Sequence, residues 1–163
     1  MDSTAAGGIQ CRPEREEDEP FLLQLYASTR DSELQLTDWT AQEKQAFVTG
    51  QFNAQRRHYR QVFPEARFDV VERLGVPVGR LYVDRHAGEI RLIDIALIPE
   101  ARSCGLGTAL LSALLDEAAA TRQKVTIHVE RFNPALRLYQ RLGFKPIEDK
   151  GVYVMMEARP LAE

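Results

Sequence analysis

The chain has 163 residues, of which 44% are hydrophobic and 28% charged, with a formal net charge of −3. That length fits one domain with a substantial core, and the charge balance supplies no basic field of the kind a nucleic-acid binder needs. No apolar run reaches membrane-spanning length, and the two cysteines, Cys11 and Cys104, make no disulfide or metal pattern.

Residues 1–8 are small and polar and are expected to fray. They carry neither the basic start nor the apolar stretch of a secretory signal, so a reduced, cytoplasmic setting is the expectation. Ile9 to Arg12 predicts a first strand, ended by Pro13. Glu14 to Glu19 is acidic, and Pro20 suits a first helical turn, where its missing N–H costs nothing. Phe21, Leu22, Leu25 and Tyr26 recur at helical spacing, so the acidic run is read as sitting at a positive helix end. Thr40-Ala41-Gln42-Glu43 is a capping box that opens a second helix to about Val62, with Gly50 a weak spot inside it.

Strands follow. Phe68 to Arg73 and Val78 to Arg85 alternate, with turns at Gly75-Val76-Pro77 and His86-Ala87-Gly88, and Glu89 to Ile98 is a long central strand. A helix from about Cys104 to Thr121 carries an apolar face of Leu106, Leu110, Ala113, Leu114 and Ala118. Lys124 to Glu130 is the fifth strand and Pro134 to Leu142 a short helix. Lys145 to Asp149 and Val152 to Ala158 read as a hairpin through Lys150-Gly151. The order βααβββαβαββ predicts a single α/β (α+β) domain over residues 9–159, a mixed sheet with helices on both faces.

The stretch IRLIDIALIPEARSCGLGTALLSALL, from Ile90 to Leu115, carries the chemistry. It reads strand, Gly-rich turn, helix. Such a turn leaves backbone N–H groups unpaired at a helix N-terminus, which suits a phosphate or pyrophosphate. A P-loop is rejected because Thr108 and Ala109, not Lys and Ser/Thr, follow Gly107. A dinucleotide fingerprint is rejected because Leu110 stands where a Gly or Ala is needed. What remains is Arg102-x-x-Gly105-x-Gly107. With it the chain resembles the GNAT superfamily of N-acetyltransferases. A second segment, VTIHVERFNPALRLYQRLGF from Val125 to Phe144, carries the same resemblance: a strand, Asn133, a short helix with Leu138-Tyr139, then Gly143-Phe144.

The resemblance implies a mostly antiparallel sheet whose fourth and fifth strands splay apart, and acetyl-coenzyme A as co-substrate with no metal. It places the pyrophosphate on backbone N–H groups of Ser103, Cys104, Gly105, Leu106, Gly107 and Thr108, with Arg102 reaching a phosphate. It places the pantetheine arm along Ile95, Ala96 and Leu97, and Tyr139 as the acid that protonates the departing thiolate. Ser103, Cys104 and Thr108 depart from the commoner family residues, which matters little where backbone makes the contact. Asn133 lies one residue off a common family spacing, so it either bonds the pantetheine arm or simply caps its helix.

For Tyr139 the alternative is core packing. His128 and Glu130 share a strand face and are the candidate bases, against a solvated face or a structural hydrogen bond. Asp94 interrupts the face of Ile90, Leu92 and Ala96 and is expected to pair with an arginine such as Arg80 or Arg91, with a catalytic role as the alternative. Nothing beside Cys104 resembles the base that a Cys nucleophile needs. The basic segment Arg56 to Arg60 reads as a solvated helix face or a lip of the acceptor pocket. The expected reaction is direct acetyl transfer to a primary amine of a small molecule or peptide, by a monomer or homodimer, with no nucleic-acid or membrane partner. A non-catalytic acyl-coenzyme A binding module and a protein N-acetyltransferase are the rival readings.

Overall fold

A computed structural model describes residues 4–5 and 8–159. The strands are β1 (Thr4–Ala5), β2 (Ile9–Pro13), β3 (Arg67–Arg73), β4 (Val76–His86), β5 (Glu89–Leu97), β6 (Lys124–Glu130), β7 (Lys145–Lys150) and β8 (Tyr153–Ala158). The helices are α1 (Glu19–Leu34), α2 (Ala41–Val62), α3 (Leu106–Ala120) and α4 (Leu136–Arg141). One eight-stranded sheet has the order β1-β2-β3-β4-β5-β6-β8-β7. Every neighbouring pair is antiparallel except β5 and β6, which run parallel. Thr4–Ala5 pairs with β2, while residues 1–3 and 6–7 of the stretch expected to fray lie outside the described residues.

Helices cover both faces, as the element order predicts. On one face Leu22, Leu25 and Tyr26 of α1 and Val48 and Phe52 of α2 bury against Val70. On the other, Leu111 and Leu114 of α3 and Tyr139 of α4 bury against Ile90, Leu92, Val125 and Ile127. The α3 face differs by one residue from expectation: Ala113 is exposed and Leu111 takes the core position. Leu111→Ala is expected to cost about 2–5 kcal/mol, because the sheet beneath cannot collapse into the space. An unchanged urea midpoint would show that this helix does not anchor the core.

Local signals set most boundaries. Thr40 Oγ1 accepts from Glu43 N–H at 3.1 Å and Glu43 Oε1 accepts from Thr40 N–H at 3.0 Å, closing the capping box. Helix α3 begins two residues later than its periodicity predicts, because Ser103 (φ 60°) and Gly105 (φ 83°) hold the preceding turn in left-handed backbone. Helix α4 is also shorter than expected. Asn133 Oδ1 accepts from Ala135 N–H at 2.8 Å and holds residues 133–135 in a turn.

The acidic run after β2 is more than a helix-end decoration. Asp18 is bonded by Arg12 at 2.8 Å, and Arg12 also reaches Glu72 at 2.9 Å, which ties the start of α1 to β2 and β3. Glu14 accepts from Tyr82 Oη at 2.8 Å and pairs with Arg60 of α2.

One irregularity organises the centre of the sheet. Tyr82 pairs with Asp94 and Val83 with Leu92, so Ile93 is an extra residue on β5. A strand alternates faces, and one extra residue inverts every face beyond it. Before the bulge, Ile90 and Leu92 pack beneath α3. Beyond it, Ala96 packs on the α1–α2 side while Ile95 and Leu97 lie on the α3 side. The expected single apolar face of Ile90, Leu92 and Ala96 is therefore corrected, and Asp94 turns toward α2. The same bulge starts the splay. β5 and β6 pair only from Glu89↔Lys124 to Leu92↔Ile127. Beyond that, His128 to Glu130 pair with β8, and Asp94 to Leu97 keep only β4 as neighbour.

Candidate active site

Two elements adjoin the strands that part: α3, which follows β5, and α4, which follows β6 and carries Tyr139. The first hydrogen bond of α3 runs from Ala109 N–H to Gly105 O at 3.0 Å, and no side chain caps the helix. Among the described residues the N–H groups of Gly105, Leu106, Gly107 and Thr108 bond no acceptor, and they stand at the positive end of a 15-residue helix. A Cβ built on Gly107 would meet only Leu138 Cδ2 at 3.8 Å and Leu97 Cδ1 at 3.9 Å. The fold itself does not require glycine there, and those two neighbours belong to opposite sides of the split. The residues present therefore suit a phosphate-bearing donor, with backbone donors that bond no described group and room beside Gly107.

The other residues singled out from this loop divide by what they touch. Leu106 is buried with Ala101 and Leu110, so only its backbone faces outward. Ser103, Cys104 and Thr108 are exposed. Cys104 Sγ donates to Ala101 O at 2.9 Å, and no basic side chain bonds it. Arg102 is already engaged: Nε donates to Leu97 O at 2.9 Å and Nη2 to Ser28 Oγ at 3.1 Å, linking the loop to β5 and α1. Ile95, Ala96 and Leu97 are half-buried along the edge of β5 that β6 has left. Asn133 serves its own turn through Oδ1.

Tyr139 is 3% exposed and stands edge-on to Phe144 at 5.7 Å. Among the described residues its hydroxyl makes no hydrogen bond. Burial, and then the charge of Asp94, push its pKa up, so the phenol keeps its proton throughout the neutral range. His128 and Glu130 are exposed on the same face of β6. Burial first, and then Arg91 and Lys150, lower the His128 pKa, which favours neutral imidazole. No hydrogen bond or ion pair joins either residue to Tyr139.

Asp94 does have an arginine partner, and it is Arg80. Arg80 Nη2 reaches Asp94 Oδ2 at 2.6 Å and Gln55 Oε1 at 2.9 Å. Tyr59 Oη donates to the same Oδ2 at 3.1 Å. Arg91 instead reaches Thr126 and Glu89. Arg80 is 2% exposed, 5.0 Å from the Tyr82 ring centre and 6.0 Å from that of Tyr26. Among the described residues its Nε and Nη1 bond no acceptor, and the guanidinium carbon lies over the two flanking rings.

Arg80 is one of the two partners expected for Asp94, whereas Gln55, and Tyr59 as a donor to Asp94, are neighbours that sequence reasoning passes over. A signal exists: Phe52, Gln55 and Tyr59 fall at i, i+3, i+7, one helical face. The expectation of a solvated basic segment holds only in part. Arg57, His58 and Arg60 are exposed, while Tyr59 and Arg56 are half-buried. Arg56 packs over Phe52 at 5.2 Å and lies 3.6 Å from Glu14, and even Arg60 packs over Phe68 at 4.9 Å.

A mostly antiparallel sheet with a parallel pair that parts above an uncapped helix defines the class: an acetyltransferase fold. The chain belongs to the GNAT acetyltransferase family, whose model matches residues 33–144. Solved structures share the fold. The PaiA N-acetyltransferase from Thermoplasma acidophilum, in complex with coenzyme A, is 18% identical, with a TM-score of 0.69 over 93% of this chain and 98% of its own. An acetyltransferase from Thermus thermophilus is 20% identical, with a TM-score of 0.68 over 96% and 99%. RimL, a ribosomal L7/L12 alpha-N-protein acetyltransferase in complex with coenzyme A, is 16% identical, with a TM-score of 0.64 over 98% of each chain. Among the described residues no helix is long and apolar enough to cross a membrane.

Proposed function

We propose that this acetyltransferase moves the acetyl group of acetyl-coenzyme A directly to a primary amine, on a small molecule or a peptide terminus, in a ternary complex within the single domain 9–159. The observation that carries the reading is the uncapped start of α3 next to the parting of β5 and β6, with Tyr139 on α4, whose hydroxyl bonds no described group and is pushed by burial toward its protonated form. Backbone N–H groups from Ser103 to Thr108 hold the pyrophosphate. Arg102 swings from Leu97 O to a phosphate, a stronger charge-assisted partner than a carbonyl. Freed backbone along Ile95 to Leu97 then takes the pantetheine arm, with the Asn133 amide as a further donor. Tyr139 protonates the leaving thiolate. His128 and Glu130 are candidates to take the amine proton, and neutral His128 is in the right form for it. A protein N-terminus as acceptor draws support from the likeness to RimL.

The test is a panel of amines and peptides incubated with acetyl-coenzyme A, with thiol release followed. Release that depends on one amine class identifies the acceptor. No release from any of them would sink the proposal.

The acceptor pocket is expected along residues 29–63, between β2 and β3. Trp39 is 39% exposed and packs edge-on to Phe47 at 5.2 Å, and His58 is exposed. Substituting Trp39, Arg56 or His58 by Ala should raise acceptor KM several-fold more than it weakens coenzyme binding. Equal losses in both would mean that this segment only supports the fold.

A further inference from the structure

Arg102 of the Gly-rich loop ties two other elements together. Its Nε donates to Leu97 O of β5 at 2.9 Å and its Nη2 to Ser28 Oγ of α1 at 3.1 Å. One peptide fixes where the first bond lies. Ile98 N–H donates to Val78 O of β4 at 2.9 Å, and a trans peptide points its N–H and C=O in opposite directions. Leu97 O therefore turns away from β4, to the edge of β5 from which β6 has parted, and Arg102 lies on that edge. Ser28 is set to accept: its hydroxyl proton goes to Leu25 O at 2.7 Å, so toward Arg102 the oxygen offers lone pairs. Both partners of Arg102 are neutral, and a guanidinium makes its stronger, charge-assisted bonds with an anion. Arg102 is exposed, so both bonds can be made and broken without opening the core.

We propose that Arg102 is a latch. Fastened to Leu97 and Ser28, it holds the donor loop against β5 and α1, and a phosphate can take it only after the bond to Ser28 is given up. The proposal rests on the reading above, that a phosphate-bearing donor binds at the start of α3 with Arg102 as a partner. Ser28 and the phosphate then compete for one guanidinium. Apparent affinity scales with the fraction of protein in the open arrangement, so Ser28 lowers donor affinity without touching the donor. Ser28 also directly precedes the segment 29–63 proposed as the acceptor wall, so the same bond joins the donor loop to the helix from which that wall begins.

The measurement is the dissociation constant of acetyl-coenzyme A by titration calorimetry, which needs no acceptor. Ser28→Ala removes the competing oxygen and is expected to tighten binding roughly 2- to 10-fold, the reverse of what loss of a binding residue does. Alanine suits a helix interior, so the variant keeps its fold. Ser28→Thr restores a hydroxyl, which the helix can hold as it holds that of Thr29, by a bond of 2.6 Å to the carbonyl of Tyr26 three residues back. Its affinity should return to within about twofold of wild type. A Ser28→Ala protein that binds acetyl-coenzyme A no more tightly than wild type overturns the latch, because the bond to Ser28 then opposes nothing. A Ser28→Thr protein that gains as much as Ser28→Ala overturns it too, because the hydroxyl is then not the cause. Wild-type protein that binds no acetyl-coenzyme A overturns the parent reading, and this one with it.

Discussion

Tyr139→Phe is expected to lower kcat by roughly 10²–10⁴-fold, the usual scale for a general acid. The change keeps the ring that packs edge-on to Phe144 at 5.7 Å and removes only the hydroxyl. That hydroxyl bonds no described group, so its loss should cost little stability. Its pKa is held up by burial and by Asp94, so it arrives at the reaction protonated. A phenol that is hard to ionise in isolation becomes a useful donor when a thiolate develops beside it, because the interaction strengthens only in the transition state. Coenzyme affinity should therefore barely move. A variant with near-normal kcat would reduce Tyr139 to core packing.

Gly107→Val is expected to abolish the thermal stabilisation given by acetyl-coenzyme A. At a ligand concentration about 100-fold above Kd, binding to the native state alone adds about 2.7 kcal/mol, or roughly 5–10 °C in Tm for a domain of this size. Gly107 lies in the first turn of α3, where a Cβ would meet only Leu138 and Leu97, at 3.8 and 3.9 Å. Ala at this position should leave the fold intact and weaken binding, and the two further carbons of Val should fill the space over the N–H groups. Circular dichroism separates loss of fold from loss of ligand. If wild-type protein shows no shift at saturating coenzyme, the donor site is not here. If the Val variant keeps the shift, the phosphates do not lie over Gly107.

Much of the architecture was legible in the residues because its causes are local. The Thr40–Glu43 capping box, the Pro20 start of α1 and the Gly-rich entry to α3 each need only a few neighbouring residues to act. The two motif segments likewise carried the family through short-range pattern. Boundaries slipped where left-handed backbone at Ser103 and Gly105, or the Asn133 turn, delayed a helix that periodicity alone would start earlier.

What the sequence by itself determined was therefore the order and type of the elements from β2 onward, the Gly-rich entry to α3 and the placing of Tyr139 on a short helix; the strand at Thr4–Ala5 was not foreseen. Tertiary structure decided which face each residue of β5 takes. Apolar residues at Ile90, Leu92 and Ala96 look like one face, and nothing within the strand marks Ile93 as unpaired. The bulge exists only in relation to Tyr82 and Val83 on β4. It sends Asp94 to Arg80 and Tyr59, partners 14 and 35 positions away in the chain. It also frees the rest of β5 from β6. Periodicity is a property of one segment and register a property of two, and with a side-chain repeat of two a single extra residue inverts everything after it.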